Sequence, residues 1–185
     1  MPGWQSRGRN ATAPNPNVTC SNPGCSPATN DAGWRTLDLP HDFVVEGNFS
    51  SEADPPHGFL PFGVAWYRKH ITFPANAQGA PLWIDFQAIQ TTSTVYFNGK
   101  LLGYHGYGYT NSRYFLNASQ INWGGDNLLA VFVDATAPDS WWCVCVYVMS
   151  ARECVCGVCV CVRGLVCLCP CVLCVKTARK CDGVD

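Results

Sequence analysis

Apolar and polar side chains alternate along several short stretches of this chain. Leu82, Ile84 and Phe86 alternate with Trp83 and Asp85, the period-two pattern of a strand with one face buried. Tyr67, Lys69, Ile71 and Phe73 alternate in the same way with Trp66, Arg68, His70 and Thr72. Val95 and Phe97 run into Asn98-Gly99 and then Leu101. Asn-Gly accepts positive φ at both central turn positions, so this stretch predicts a tight hairpin. Leu129, Val131 and Val133 supply another strand face ending before Asp134, and Tyr114 to Leu116 predicts a short strand ahead of Asn117-Ala118-Ser119. No window carries the 3.6-residue apolar stripe of an amphipathic helix. Short strands separated by Pro and Gly turns predict an all-β sandwich or jelly roll rather than βαβ units.

This patterning is confined to residues 31–142. Residues 1–30 are dominated by Asn, Pro, Ser, Thr and Gly. Such a segment buries too little apolar surface to offset its ordering entropy, which predicts a flexible linker. Cys20 and Cys25 could close a small loop within it. Residues 143–185 change character again and hold 11 of the 13 cysteines, mostly interleaved with valine. Net charge is −1 and only 14% of residues are charged, so nothing electrostatic points to nucleic acid as a partner. A chain of 185 residues also excludes a complete barrel enzyme of about 250 residues.

The Cys/Val-rich tail has three readings. Cys156-Gly157-Val158-Cys159 and Cys171-Val172-Leu173-Cys174 are two CxxC pairs, and four thiolates can hold zinc in a tetrahedron. Neither pair sits in a polar knuckle, and the neighbouring cysteines blur the pattern. Val155 to Val175 is about the length of a membrane span, but Arg163 near its middle costs about 2.5–3.5 kcal/mol on insertion. The favoured reading is a translated DNA repeat: TGT encodes Cys and GTG encodes Val, and Arg, Gly, Ser and Tyr lie one base from TGT. The tail is therefore expected to be disordered or an artefact of the gene model. No metal and no cofactor is assigned to the chain.

His41-Asp42 suggests a catalytic dyad on spacing alone, but neighbours on an extended chain point to opposite faces. Leu39-Pro40-His41-Asp42 reads instead as a structural turn. Tyr104, Tyr107 and Tyr109 among glycines could form a stacking platform, though such tyrosines are more often half-buried lids on a sandwich edge. His70 and His105 stand isolated in sequence. Sequons occur at Asn10, Asn17, Asn48 and Asn117; they permit N-glycosylation only in a secretory setting. No apolar run follows Met1, so localisation stays open.

Within 31–142 an ordered set of landmarks resembles a known family. These are Trp34-Arg35, Leu39-Pro40-His41-Asp42-Phe43, His57-Gly58-Phe59-Leu60-Pro61, Trp66-Tyr67-Arg68-Lys69, Val95-Tyr96-Phe97-Asn98-Gly99, Leu102-Gly103, Gly108-Tyr109-Thr110, Asn127 to Val133 and Trp141-Trp142. Together they resemble the N-terminal sugar-binding domain of glycoside hydrolase family 2, the β-galactosidase and β-glucuronidase family. The Leu-Pro-His-Asp form looks most like the β-galactosidase branch. The resemblance implies a galactose-binding-like jelly roll that leans on a catalytic (β/α)₈ barrel and lends it loop residues. Family members continue after the two tryptophans with an aromatic, an acid, glycines and Ile-Tyr-Arg; here Cys143 follows.

Retaining glycoside hydrolysis needs two carboxyl groups about 5–5.5 Å apart. In this family both come from the barrel. Glu46, Glu52 and Glu153, the only glutamates here, match no barrel motif, and Glu46 reads as a solvated acid in a surface loop. The expectation is a non-catalytic fragment whose parent hydrolyses O-glycosyl bonds, with carbohydrate of the β-galactoside kind as its partner through a missing barrel. The resemblance places Asp54 and His57 in the loop that reaches the sugar subsite, and Asp139, Trp141 and Trp142 where the chain approaches it again. A stand-alone carbohydrate-binding module and a Cys-rich metal-binding protein are the alternatives.

Overall fold

A computed structural model of the chain describes residues 4–7, 20–53, 55, 58–60, 62–79, 81–136 and 147–149. Among these the strands are β1 (Trp4–Arg7), β2 (Arg35–Leu37), β3 (Val64–Thr72), β4 (Leu82–Ala88), β5 (Thr92–Phe97), β6 (Lys100–His105), β7 (Ser112–Leu116), β8 (Asp126–Asp134) and β9 (Tyr147–Met149). They form a larger sheet in the order β2-β1-β3-β8-β5-β6 and a smaller one in the order β7-β4-β9. Every pairing is antiparallel. The fold is a jelly-roll sandwich, as the period-two patterning predicts. No α-helix occurs among the described residues, and no helix there is long and apolar enough to cross a membrane.

The core forms where the alternating positions predict. Tyr67, Ile71 and Phe73 from the β3 stretch meet Val95 and Phe97 of β5 and Leu129, Val131 and Val133 of β8. Leu82, Ile84 and Phe86 of β4 and Leu116 of β7 oppose them. Burying each such side chain contributes about 1.5–3 kcal/mol. The β5–β6 hairpin turns at Asn98 and Gly99, with φ of 49° and 76°, the left-handed conformations that make Asn-Gly the preferred pair.

The outer face of the larger sheet departs from the simple pattern. Trp66, Tyr96 and Phe132 point away from the main core, yet all are buried, together with Cys25 and Trp34. Residues 20–34 cover them. Composition predicts a linker through residue 30, but residues 20–30 form a cap closed by the Cys20–Cys25 disulfide. Gly24 lies flat on the Trp66 indole, where a Cβ would come within 2.2 Å of the ring.

Arg68 on β3 holds this cap from below. Its side chain is fully buried. One terminal nitrogen donates to the carbonyls of Pro23 (3.2 Å), Gly24 (2.7 Å) and Ser26 (3.0 Å), and the other to that of Thr29 (3.4 Å). Its Nε pairs with Asp31 at 2.8 Å, and the guanidinium lies 5.2 Å from the centre of the Trp34 ring. Burial pushes the Arg68 pKa down, and Asp31 opposes that shift. His70, isolated in sequence, has Nε2 at 2.9 Å from Asp31 and Nδ1 at 2.7 Å from Asp126.

Strand β9 lies inside the Cys/Val-rich segment and pairs with β4, extending the smaller sheet beyond the point where the family landmarks end. Both CxxC pairs and the Val155 to Val175 stretch lie outside the described residues.

Candidate functional site

Strand register gathers several connections at one end of the sandwich. Val64, the first residue of β3, pairs with Asp134, the last of β8. Thr92, the first residue of β5, pairs with Asp134 from the other side, and His105 at the end of β6 pairs with Ser93. The Gly63 end of the 43–63 loop, the 89–91 bend, the β6–β7 loop and the chain leaving β8 therefore all sit at this Asp134 end. The Asn98-Gly99 turn and the 117–125 connection lie at the opposite end, where Asn98 Nδ2 donates to the Gln120 carbonyl at 2.8 Å.

Backbone hydrogen bonds fix these connections to one another. The Ala135 N–H donates to the Gly63 carbonyl (2.9 Å) and the Thr91 N–H to the Asp134 carbonyl (3.2 Å). The Asp134 carboxylate accepts from the Thr136 backbone N–H (2.8 Å) and hydroxyl (2.7 Å). The long loop is cross-tied by Ser50 N–H to the Phe59 carbonyl, at 2.9 Å, and anchored by buried Leu60. In the β6–β7 loop Gly108 lies against Gln90, so close that a Cβ would sit 2.7 Å from the Gln90 Cα. Only glycine fits that approach.

A polar chain braces the base of the 43–63 loop. The Asp42 carboxylate accepts from the Val44 N–H at 2.8 Å, and the Gly47 N–H donates to the Val44 carbonyl at 3.0 Å. This turn folds Glu46 back onto His41, with Nε2 at 3.0 Å from Oε1. Arg35 Nη2 donates to both Glu46 oxygens, at 2.9 and 2.7 Å. His41 Nδ1 lies 2.9 Å from the Tyr67 hydroxyl. Arg35 Nη2 also lies 2.7 Å from His41 Nε2, so that ring nitrogen faces a guanidinium donor as well as the Glu46 acceptor, and its role follows the tautomer. Tyr67, His41 and Glu46 stand in the residue order of a relay, with the Arg35 guanidinium against its middle imidazole. Tyr67 is fully buried, so its hydroxyl reaches no external substrate and the relay serves to position the loop.

Leu39-Pro40 forms a bend, and the turn itself falls at residues 43–46 rather than at Leu39 to Asp42. Glu46 is exposed, as expected of a solvated acid in a surface loop, and it also pairs with Arg35 and His41. Adjacency drew attention to His41-Asp42, but the true partner lies five residues on, across a turn that spacing alone does not reveal. The Arg35 hydrogen bond is the largest cause of a lowered Glu46 pKa, with His41 adding to it and partial burial opposing it. A carboxyl with a depressed folded pKa stabilises fully above its ordinary value and loses that contribution as pH falls through the lowered one. Glu46→Gln is therefore expected to destabilise by a few tenths to about 1 kcal/mol at neutral pH, as for other exposed pairs. The deficit vanishes in acid. Urea titrations at neutral pH and near pH 3 would measure it, and an equal deficit at both would contradict the assignment.

Tyr104, Tyr107 and Tyr109 are not half-buried lids: each is 59% exposed. The rings of Tyr107 and Tyr109 lie 5.5 Å apart, and His105 Nε2 bridges the loop to the Thr110 hydroxyl at 3.0 Å. Asp54, His57, Asp139, Trp141 and Trp142 all lie outside the described residues. What is described is the framework of the segments that carry them. Among the described residues no cluster of three or more His, Cys, Asp or Glu side chains could hold a metal ion.

Known proteins share this framework. The β-galactosidase BoGH2A of Bacteroides ovatus is 41% identical over 119 residues, covering 63% of this chain and 14% of its own. A crystal structure of a β-glycosidase from Bacteroides vulgatus superposes with a TM-score of 0.61 at 32% identity, over 72% of this chain and 16% of that one. The sandwich matches the N-terminal domain of glycoside hydrolase family 2 enzymes. A β-glucuronidase of Formosa agariphila is 32% identical over 111 residues, 57% of this chain and 11% of its own. The chain thus spans about one seventh or less of the length of these two curated relatives. No family model matches it. In this family 2 domain the matched strands and the connections at the Asp134 end belong to one scaffold.

Proposed function

We propose that this family 2 domain is the sugar-facing module of a β-galactoside-type retaining glycosidase, lending its Asp134-end loops to a site completed by a barrel domain. The observation that carries the reading is the convergence of the 43–63 loop and the chain leaving β8 at one end of the sheet. Asp54 and His57 belong by sequence to the first segment, and Asp139, Trp141 and Trp142 to the second. Carboxylate and imidazole groups suit ring hydroxyls, and indoles suit the C–H faces of a sugar. The Arg35–Glu46–His41–Tyr67 chain would hold the loop base in place. The β-galactoside branch is favoured by the Leu39-Pro40-His41-Asp42 motif and by the higher identity to a β-galactosidase than to a β-glucuronidase.

In a full-length enzyme containing this domain, Asp54→Asn and His57→Ala are expected to raise KM for an aryl β-galactoside at least tenfold, the two-partner scale of about 1.4 kcal/mol. Circular dichroism should be unchanged. Unaltered KM in both variants would overturn the reading. The 185-residue chain alone should not turn over such a substrate, and turnover would equally contradict this division of labour.

The exposed tyrosines favour a second reading, a stand-alone carbohydrate-binding module. A glycan array probed with the isolated chain separates the two. Selective retention that is lost on joint replacement of Tyr107 and Tyr109 by alanine would favour the module.

A further inference from the structure

We infer that Asn117 is an N-glycan attachment site and that this protein matures in an oxidising, secretory compartment. Three independent features meet here. Asn117-Ala118-Ser119 satisfies the acceptor pattern Asn-x-Ser/Thr. The Asn117 side chain is exposed, and its orientation is set by the fold. Its Oδ1 accepts from the Ser119 N–H at 3.0 Å and from the Ser119 hydroxyl at 2.9 Å. Both bonds use the carboxamide oxygen, so the Nδ2 amide carries no hydrogen bond among the described residues and faces water. Nδ2 is the atom that an N-linked sugar requires.

The second feature is position. Asn117 follows β7 at the end of the sandwich remote from Asp134, beside the Asn98-Gly99 turn to which Gln120 is bonded. A bulky glycan there would leave the candidate site clear. The Asn48 sequon, also exposed, lies instead within the 43–63 loop that runs to the candidate site, so Asn117 is the position the fold favours. The third feature is the Cys20–Cys25 disulfide, a bond that persists in secretory and extracellular settings and is rare in reducing cytosol.

The co-reactant is a polyprenyl-diphosphate-linked oligosaccharide. Nδ2 forms a bond to the anomeric carbon, and the bond from that carbon to the diphosphate oxygen breaks. The electron pair leaves with the diphosphate, and one amide proton is lost to base.

The test uses protein isolated from its natural source. Free thiols are alkylated before any reduction, and peptides are then treated with peptide N-glycosidase in heavy-oxygen water. The expected result is heavy-oxygen aspartate at position 117, with Cys20 and Cys25 protected from alkylation. An unmodified Asn117 peptide, or alkylated Cys20 and Cys25, overturns the inference. A second arm secretes the chain from eukaryotic cells. Asn117→Asp retains the oxygen that caps the turn, so the fold persists while one glycan's worth of gel mobility is lost. Identical mobility of variant and parent overturns the assignment of that glycan to position 117.

Discussion

Arg68→Met is expected to lower unfolding stability by about 3–5 kcal/mol, the usual cost of removing one member of a buried ion pair. Methionine fills much of the same volume, so the loss measures chemistry rather than a cavity. It strips donors from the carbonyls of Pro23, Gly24, Ser26 and Thr29 and leaves the Asp31 carboxylate without its guanidinium. The damage should concentrate in the cap, because these partners all lie within residues 20–34. Arg68→Lys should rescue little, since an ammonium cannot reproduce a planar fork of five donors. Urea unfolding gives the magnitude, and limited proteolysis within residues 20–34 gives the location. A loss below 1 kcal/mol, or uncut residues 20–34, would show that the cap is held by Trp66 and Trp34 instead. Because domains of this size have only about 5–15 kcal/mol in total, this one residue decides whether the cap stays closed.

Asn127→Asp should cost a similar amount at neutral pH, although the two side chains have nearly the same shape. Asn127 is buried, and its amide faces the carbonyls of Ile71 (3.2 Å), Asn122 (3.0 Å) and Gly125 (3.2 Å). Its oxygen accepts from Asn98 Nδ2 at 2.9 Å and from the Asn122 N–H at 2.7 Å. An aspartate keeps the second set and turns the first into oxygen against three oxygens. The expected loss is about 3–5 kcal/mol, the scale of a buried charge without its partners. Such a carboxyl has a folded pKa above its unfolded value. The penalty therefore grows as pH rises and shrinks in acid, where a protonated oxygen can donate to one carbonyl. Thermal unfolding across pH would reveal this inverse dependence, and a flat difference between variant and parent would refute it.

These two side chains also mark where sequence reading succeeds and stops. The inner faces of β3, β4, β5 and β8 were legible because a period of two is imposed by strand geometry itself. The Asn98-Gly99 turn was legible because few pairs adopt its dihedrals. The cap was not. Its residues are polar and turn-forming, and they are ordered through carbonyls that bond Arg68, a partner more than forty positions away for Pro23, Gly24 and Ser26. Arg68 itself reads as an outward charged residue until something is known to cover that face. The relay at His41 was hidden for a related reason: a turn sets which acid returns to the imidazole. The family landmarks carried the sandwich and its kinship, because they are mostly core and turn positions. The sugar-facing assignments rest on the resemblance alone.

The separation of the two ends of the sandwich has a consequence for engineering and for divergence. Register is locked at the Asn98–Asn127 pole, whereas the variable connections emerge at the other. Segments from a relative of different sugar preference could therefore be transplanted between Val44 and Gly63 without disturbing strand alignment. Homologues that differ in substrate taste should accordingly vary in that stretch while retaining the asparagine knot.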